Sequence, residues 1–386
     1  MIEFSQIVAK YGSLTNPAVK IEVNGIGVQM SKDKLQIAYL DVDLTAGYEA
    51  STAVYRITNC YNMNLGQFKY GALKPFIMLG SAVTISLGYN GSAGPVFKGY
   101  ISKVEFAYDS MDETTMPYCE VTCMDVKGIM MSNRYQKQLL SRDYSGAVSE
   151  LFALPQYMAL QVPPKDIMSS MKNIVPTPDV ATSALPVNLD RTIEMYDESD
   201  YEFVVRAAKR FNYDFFVVAG EVNFFPAKLV FLPFMKLTPK DSMRSVSVTY
   251  DIAGMVGGVE VRNMDPDKGI PIVGKKKMTN KLSGGPIVKT IVKPQTKVVV
   301  DNSIRDTVDA AARADFIADQ ESYRFGTIEA EFVGIPDIPP AVFIQFDGLG
   351  STVDNSFYIT RVRHIMDKAG YITRVTGRAA SLSLGL

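Results

Sequence analysis

The sequence predicts a mainly β chain with an α+β middle domain and two antiparallel β-barrels, one in each outer third. Three observations carry that prediction. Short runs of alternating apolar and polar residues recur at roughly ten-residue spacing in the first third, as barrels and sandwiches require. An amphipathic helix with clear start and stop signals, followed by a hairpin, interrupts them in the middle. A second strand series then fills the last third. At 386 residues the chain is too long for one ordinary core, and its 47% hydrophobic content suffices for two or three. The expected domains are 1–135, 136–236 and 237–386.

In the first third, Val19, Ile21 and Val23 alternate with polar residues before an Asn24-Gly25 turn. Leu40, Val42 and Leu44 alternate with Asp41 and Asp43, so both acids should share one solvated face. Ala53 to Ile57, Val83 to Tyr89, Val96 to Ile101 and Tyr118 to Met124 continue the series, with a loop at Asn90 to Gly94. Ser145 to Leu154 reads as a short helix ended by Pro155, and prolines at 163, 164, 176, 178 and 186 mark an irregular connection. Ser199 with Glu202 forms a capping box ahead of the apolar stripe Phe203, Val204, Ala207, Ala208 and Phe211, and Asn212 suits the C-terminal turn. Tyr213 to Val218, the Ala219-Gly220-Glu221 turn and Val222 to Phe225 predict a hairpin against that helix.

The last third opens with strands at Ser245 to Tyr250 and Gly258 to Arg262. Gly254, Gly257 and Gly258 read as a bend, because no Lys-Ser/Thr follows to complete a phosphate loop. Residues 274–300 hold seven lysines and no acid and read as an insertion or long hairpin. That insertion is expected to be dispensable for folding and to face water, an acidic protein surface or a nucleic-acid backbone, in that order. An alanine-rich helix at Val308 to Ile317 precedes strands at Ile328 to Phe332, Ala341 to Phe346, Phe357 to Val362 and Tyr371 to Val375. The outer thirds are expected to share one core architecture without visibly aligned sequences.

Chemistry is sparse. With 40 basic and 41 acidic residues, whole-surface nucleic-acid binding is excluded. Met1-Ile2-Glu3-Phe4 does not open an export signal, and the apolar run Phe224 to Met235 is too short to span a bilayer. Cys119 and Cys123, four apart on a strand, lie about 13 Å apart and cannot bond to each other. Cys60 stands alone. Three cysteines and one histidine do not make a structural zinc site. His364, at a strand end, has no Gly-x-Ser-x-Gly elbow to serve and reads as a hydrogen-bonded structural residue. The acid pairs Asp41/Asp43, Asp112/Glu113, Asp197/Glu198 and Asp265/Asp267 sit in turns or on solvated faces, where acids are ordinary. No catalytic, cofactor-binding or metal-ligating residue is assigned, and no small-molecule substrate is expected.

Four stretches in chain order resemble the phage late control protein D family, which includes the tail hubs of contractile phages and the hub part of VgrG proteins. Pro95-Val-Phe-Lys-Gly-Tyr-Ile101 resembles its first-barrel element, and Asp200 to Phe216 its central helix-to-strand segment. Val259-Glu-Val-Arg-Asn-Met-Asp-Pro266 resembles the start of its second barrel, with Met264 where tryptophan is usual. Phe357 to His364 with Gly370-Tyr371-Ile-Thr373 resembles its closing hairpin. The resemblance implies two tube-like barrels per chain and a non-enzymatic, homotrimeric baseplate hub that adapts a hexameric tail tube to a trimeric spike. It implies tube, spike, baseplate wedge and tape-measure proteins as partners, and a virion or tailocin particle assembled in the host cytoplasm, with no membrane insertion and no cofactor. With the chain ending at Leu386, a separate spike protein is expected. A tail-associated peptidoglycan hydrolase, a tube subunit and a baseplate wedge are the alternatives.

Overall fold

The computed structural model describes residues 1–27, 35–108, 116–160, 173–178, 193–229, 231–241, 243–265, 268–278, 290–351 and 353–381. The first third supplies β1 (Ile2–Glu3), α1 (Phe4–Tyr11), β2 (Pro17–Val23), β3 (Ile26–Gly27), β4 (Gln36–Thr45) and β5 (Thr52–Thr58). It continues with β6 (Tyr61–Asn62), β7 (Gln67–Phe68), α2 (Tyr70–Ile77), β8 (Ala82–Tyr89), β9 (Ser92–Ala107) and β10 (Tyr118–Met124). Strand alternation is visible in burial, with Ala53, Tyr55 and Ile57 inside and their neighbours half-exposed. Asn90 and Gly91 both take positive φ in a two-residue turn, so β9 starts earlier than the apolar run suggests.

The middle holds α3 (Val126–Met130), β11 (Tyr135–Leu139), α4 (Tyr144–Phe152), α5 (Pro155–Met158), β12 (Ile193–Glu198), α6 (Asp200–Phe211), β13 (Tyr213–Val218) and β14 (Glu221–Pro226). Here α6 follows the sequence reading closely: both halves of the Ser199–Glu202 capping box are formed, the whole apolar stripe is buried, and Asn212 is left-handed. Pro155 does not merely end a helix; it occupies the first turn of α5, where its missing N–H costs nothing. The prolines at 163, 164 and 186 lie outside the described residues.

The last third contributes β15 (Met235–Leu237), β16 (Met243–Tyr250), β17 (Gly258–Met264), β18 (Pro271–Lys277), β19 (Thr296–Val300), α7 (Thr307–Ser322), β20 (Gly326–Val333), β21 (Phe343–Phe346), β22 (Asn355–Asp367) and β23 (Gly370–Ala379). Among the described residues, the two ends of the lysine-rich segment do not pair with each other as a hairpin would. Its ends flank β17 on opposite sides, β18 antiparallel and β19 parallel, and the three strands pack on α7 around Val259, Val261, Ala310 and Ala314. Gly274 makes that packing possible, since a Cβ there would lie 2.1 Å from the Ala310 backbone. Three of the lysines find acids within the chain: Lys275 meets Glu260 at 3.1 Å, Lys276 meets Asp315 at 2.5 Å and Lys297 meets Glu321 at 2.8 Å. Lys281 and Lys289 fall outside the described residues.

Fourteen strands from both outer thirds form one hydrogen-bonded sheet system, and one hydrophobic core runs from Ile7 through Cys123 and Met235 to Ala379. The middle segment has its own core around Phe152, Phe203 and Phe215. The expectation of closed barrels is not met among the described residues. The free edge of β4 is occupied by β22, and that of β15 by β1, so neither set of strands closes on itself.

Candidate assembly interface

The outer thirds repeat one strand order. In the first, the hydrogen-bonded sequence is β4-β5-β10-β9-β8-β2, and in the second it is β16-β20-β23-β22-β21-β15. Numbering each set along the chain gives the same permutation twice. One orientation differs: β2 is antiparallel to β8, whereas β15 is parallel to β21.

The repeat extends to single residues. Ala38 in β4 and Arg244 in β16 are each skipped by the partner strand, as are Ser102 in β9 and Thr360 in β22. The two latter hydroxyls donate to equivalent carbonyls, Ser102 to Thr122 at 3.1 Å and Thr360 to Thr376 at 3.2 Å. Alignment on these bulges superposes Tyr100-Ile-Ser-Lys-Val104 on Tyr358-Ile-Thr-Arg-Val362. Sequence is therefore visibly shared, contrary to expectation, over this short stretch. The alignment also matches two cross-strand ion pairs with their signs exchanged, Arg56–Glu120 at 2.6 Å and Arg374–Glu331 at 2.8 Å.

The two sets are sewn together by β4 and the C-terminal half of β22. Arg361 to Met366 run antiparallel to Thr45 to Leu40, and the Ala46 N–H donates to the Thr360 carbonyl at 2.9 Å. On the outer face Asp41 and Asp43 are not simply solvated. Arg363 grips Asp41 with Nε bonds of 2.8 and 3.0 Å, and Arg361 reaches Asp43 at 2.7 Å. These contacts raise the arginine pKa values further, chiefly through the carboxylate hydrogen bonds. Leu40, Val42 and Leu44 on the inner face are fully buried.

His364 lies in this seam opposite Val42, fully buried, with Nδ1 3.0 Å from the Tyr371 hydroxyl and 3.2 Å from Thr373 Oγ1. Burial pushes its pKa down to about 4, so the ring is neutral at physiological pH. Neither contact is a nucleophile–acid arrangement. Cys60, Cys119 and Cys123 are free and buried, with the Cys119 thiol pushed up to about 12 by desolvation. Among the described residues no cluster of three or more His, Cys, Asp or Glu side chains is placed to hold a metal, and no helix is long and apolar enough to cross a membrane. Asp112 and Glu113 lie outside the described residues; Asp197 is exposed and bonds Arg134 at 3.0 Å.

Polar clusters fix the middle segment to the sheet. Asp125 accepts from the Ser51 and Lys127 N–H groups at 2.9 Å, while the Lys127 ammonium donates to the Gly47 and Glu49 carbonyls at 3.1 and 2.8 Å. Burial lowers the Lys127 pKa to about 8. On the other side, Asp214 accepts from the Tyr358 hydroxyl of β22, and burial pushes its pKa up to about 6. Sequence reading missed Lys127 and Asp214, since a single charge inside an apolar pattern carries no local mark of its partner.

Comparison with solved structures gives the same architecture a context. A tail protein from Neisseria meningitidis MC58 superposes with a TM-score of 0.62 at 12% identity, over 94% of this chain and 97% of that one. The 43 kDa tail protein of prophage MuSo2 from Shewanella oneidensis gives 0.61 at 12% identity, over 94% and 98%. The chain has the fold of phage tail proteins. An E. coli component of the type VI secretion system, described as structurally similar to the bacteriophage T4 tail proteins gp27 and gp5, follows at 0.53 and 10% identity, over 93% and 76%. No protein-family profile matches the sequence, and no curated protein matches it.

Proposed function

We propose that the chain is a structural hub of a phage tail or related injection particle, a symmetry adaptor between a hexameric tube and a trimeric spike. The observation that carries this reading is the strand order repeated within one chain and joined at the β4–β22 seam. A chain holding two equivalent units offers six from three copies, so a cyclic trimer matches sixfold neighbours on one side and threefold neighbours on the other. Likeness to tail proteins along nearly the whole chain supports the same reading. In this proposal 1–135 and 237–386 are the two tube-like units and 136–236 is the middle domain. Tube, spike, wedge and tape-measure proteins are the partners, in a particle assembled in the host cytoplasm. The role requires no catalysis. Native mass spectrometry of the chain co-expressed with its spike tests it: three copies to three are expected, and any other ratio overturns the adaptor. A zymogram on peptidoglycan is expected to stay blank, and clearing would favour the hydrolase reading.

A further inference from the structure

The bulge alignment leaves two edges without the partner that their equivalents have. β4 pairs on both sides, with β5 and with β22, whereas among the described residues its equivalent β16 pairs only with β20. β22 pairs with β4 along Arg361 to Met366, whereas the equivalent stretch of β9, from Lys103 onward, pairs among the described residues only with β10. Burial records the same vacancy. Leu40, Val42 and Leu44 are fully buried, but their equivalents Val246, Val248 and Tyr250 are only partly covered. His364 is 1% exposed, while its equivalent Phe106 is 43% exposed and the neighbouring Tyr108 is 50% exposed. β16 carries no proline, and its only charge is Arg244 at the bulge, so it lacks the usual guards of an edge strand.

We propose that the open edge of β16 in one copy docks on the open half of β9 in a second copy, in the register that the chain already uses for β4 on β22. This inference rests on the assembly reading above and names its contact surface. Transferring the internal seam residue by residue sets Lys103 opposite Asp251, Val104 opposite Tyr250, Glu105 opposite Thr249, Phe106 opposite Val248 and Ala107 opposite Ser247. The Ile252 N–H then donates to the Ser102 carbonyl, as Ala46 does to Thr360 within the chain. Lys103, which in the single chain is occupied with Glu105 at 2.5 Å, gains a carboxylate in Asp251. Val246, Val248 and Tyr250 complete the inner face beside Phe106 and Tyr108, whose rings within the chain contact Phe68 at 5.0 Å and Tyr61 at 4.9 Å. Where the internal seam has two arginine–carboxylate forks, the external one has Ser247 and Thr249 hydroxyls, so it is the weaker of the two and concentration-dependent.

Cross-strand disulfides test the register, because directly opposed Cα atoms of antiparallel strands fall within disulfide reach. The buried native cysteines are spectators. A full-length Glu105→Cys/Thr249→Cys variant, checked for native circular dichroism and oxidised at high protein concentration, is expected to give a non-reducing ladder ending at the trimer. A Glu105→Cys/Ser245→Cys variant, displaced by four residues on the same face, is expected to give none. Equal ladders from both pairs overturn the register. A trimer by native mass spectrometry without cross-links overturns the edge pairing while leaving the adaptor standing, whereas monomers by both readouts, even with the spike present, overturn both.

Discussion

His364 shows how a residue with catalytic potential becomes a structural one. Its folded pKa of about 4 lies below the ordinary 6.5, so the native state binds the proton less readily than the unfolded chain does. The stability this contributes is fully present above pH 6.5 and is lost as pH falls toward 4. The full loss is on the order of 3 kcal/mol at 1.36 kcal/mol per unit. Urea unfolding at pH 7 and pH 4.5 is expected to show a steeper acid loss for the native protein than for a His364→Gln variant; identical slopes would count against a buried neutral ring. Ser199 and Phe203 make a second residue-level pair. Ser199→Ala removes one capping bond at about 1 kcal/mol. Phe203→Ala empties a fully buried site and is expected to cost about 3 to 5 kcal/mol in thermal or urea unfolding.

At the scale of elements, legibility followed the range of the interactions. α6 was readable because its cap, stripe and terminating Asn212 all lie within fifteen residues of sequence, as does the β13–β14 turn. The β17–β19 sheet was not, because its two outer strands find β17 from opposite sides and its acids come from Glu260, Asp315 and Glu321. Three of the seven lysines, Lys275, Lys276 and Lys297, have acid partners that are distant in sequence or on a neighbouring strand, which the local composition does not reveal. Deleting Lys275 to Lys297, expected from sequence to leave the fold intact while lowering particle yield, is now expected to unfold this module and expose α7 to limited proteolysis. The β4–β22 seam was equally hidden, its partners lying more than three hundred residues apart. Its forks give a direct measurement: a double-mutant cycle on Asp41→Asn and Arg363→Met is expected to return a coupling of about 1 kcal/mol, modest because Arg363 is partly exposed. Zero coupling would mean that the Arg363–Asp41 fork adds nothing to the seam beyond the backbone pairing, the second fork and the buried inner face.

At the scale of the whole molecule, the chain is a duplicated strand pattern carrying two additions. One follows the last strand of the first set, β10, and includes α6 with its hairpin. The other lies between β16 and β20, where the first set has only the short connection from β4 to β5. Tyr250 and Gly326, which bound the second addition, are directly paired across that ladder, so the strands need none of residues 251–325 to meet. Excising that stretch and joining its ends by a short Asn-Gly turn is therefore expected to leave the shared core intact. The losses include the Tyr250–Phe325 ring contact at 5.4 Å, the contacts of the Tyr323 ring with Phe343 and Tyr358, the Asn212–Asp319 and Gln320–Asn212 bonds at 3.0 Å, and the Lys228–Asp319 and Arg210–Asp309 pairs. Lys228 would not be stranded, because the Tyr323 ring that covers it leaves together with Asp319 and opens it to water. Ring contacts and partly exposed ion pairs of this kind contribute on the order of 1 kcal/mol each. The shortened chain is thus expected to unfold in one cooperative transition at a lowered Tm with its β signature retained. Loss of cooperativity would show instead that the addition is a structural part of the second unit, and that the repeat cannot stand without it.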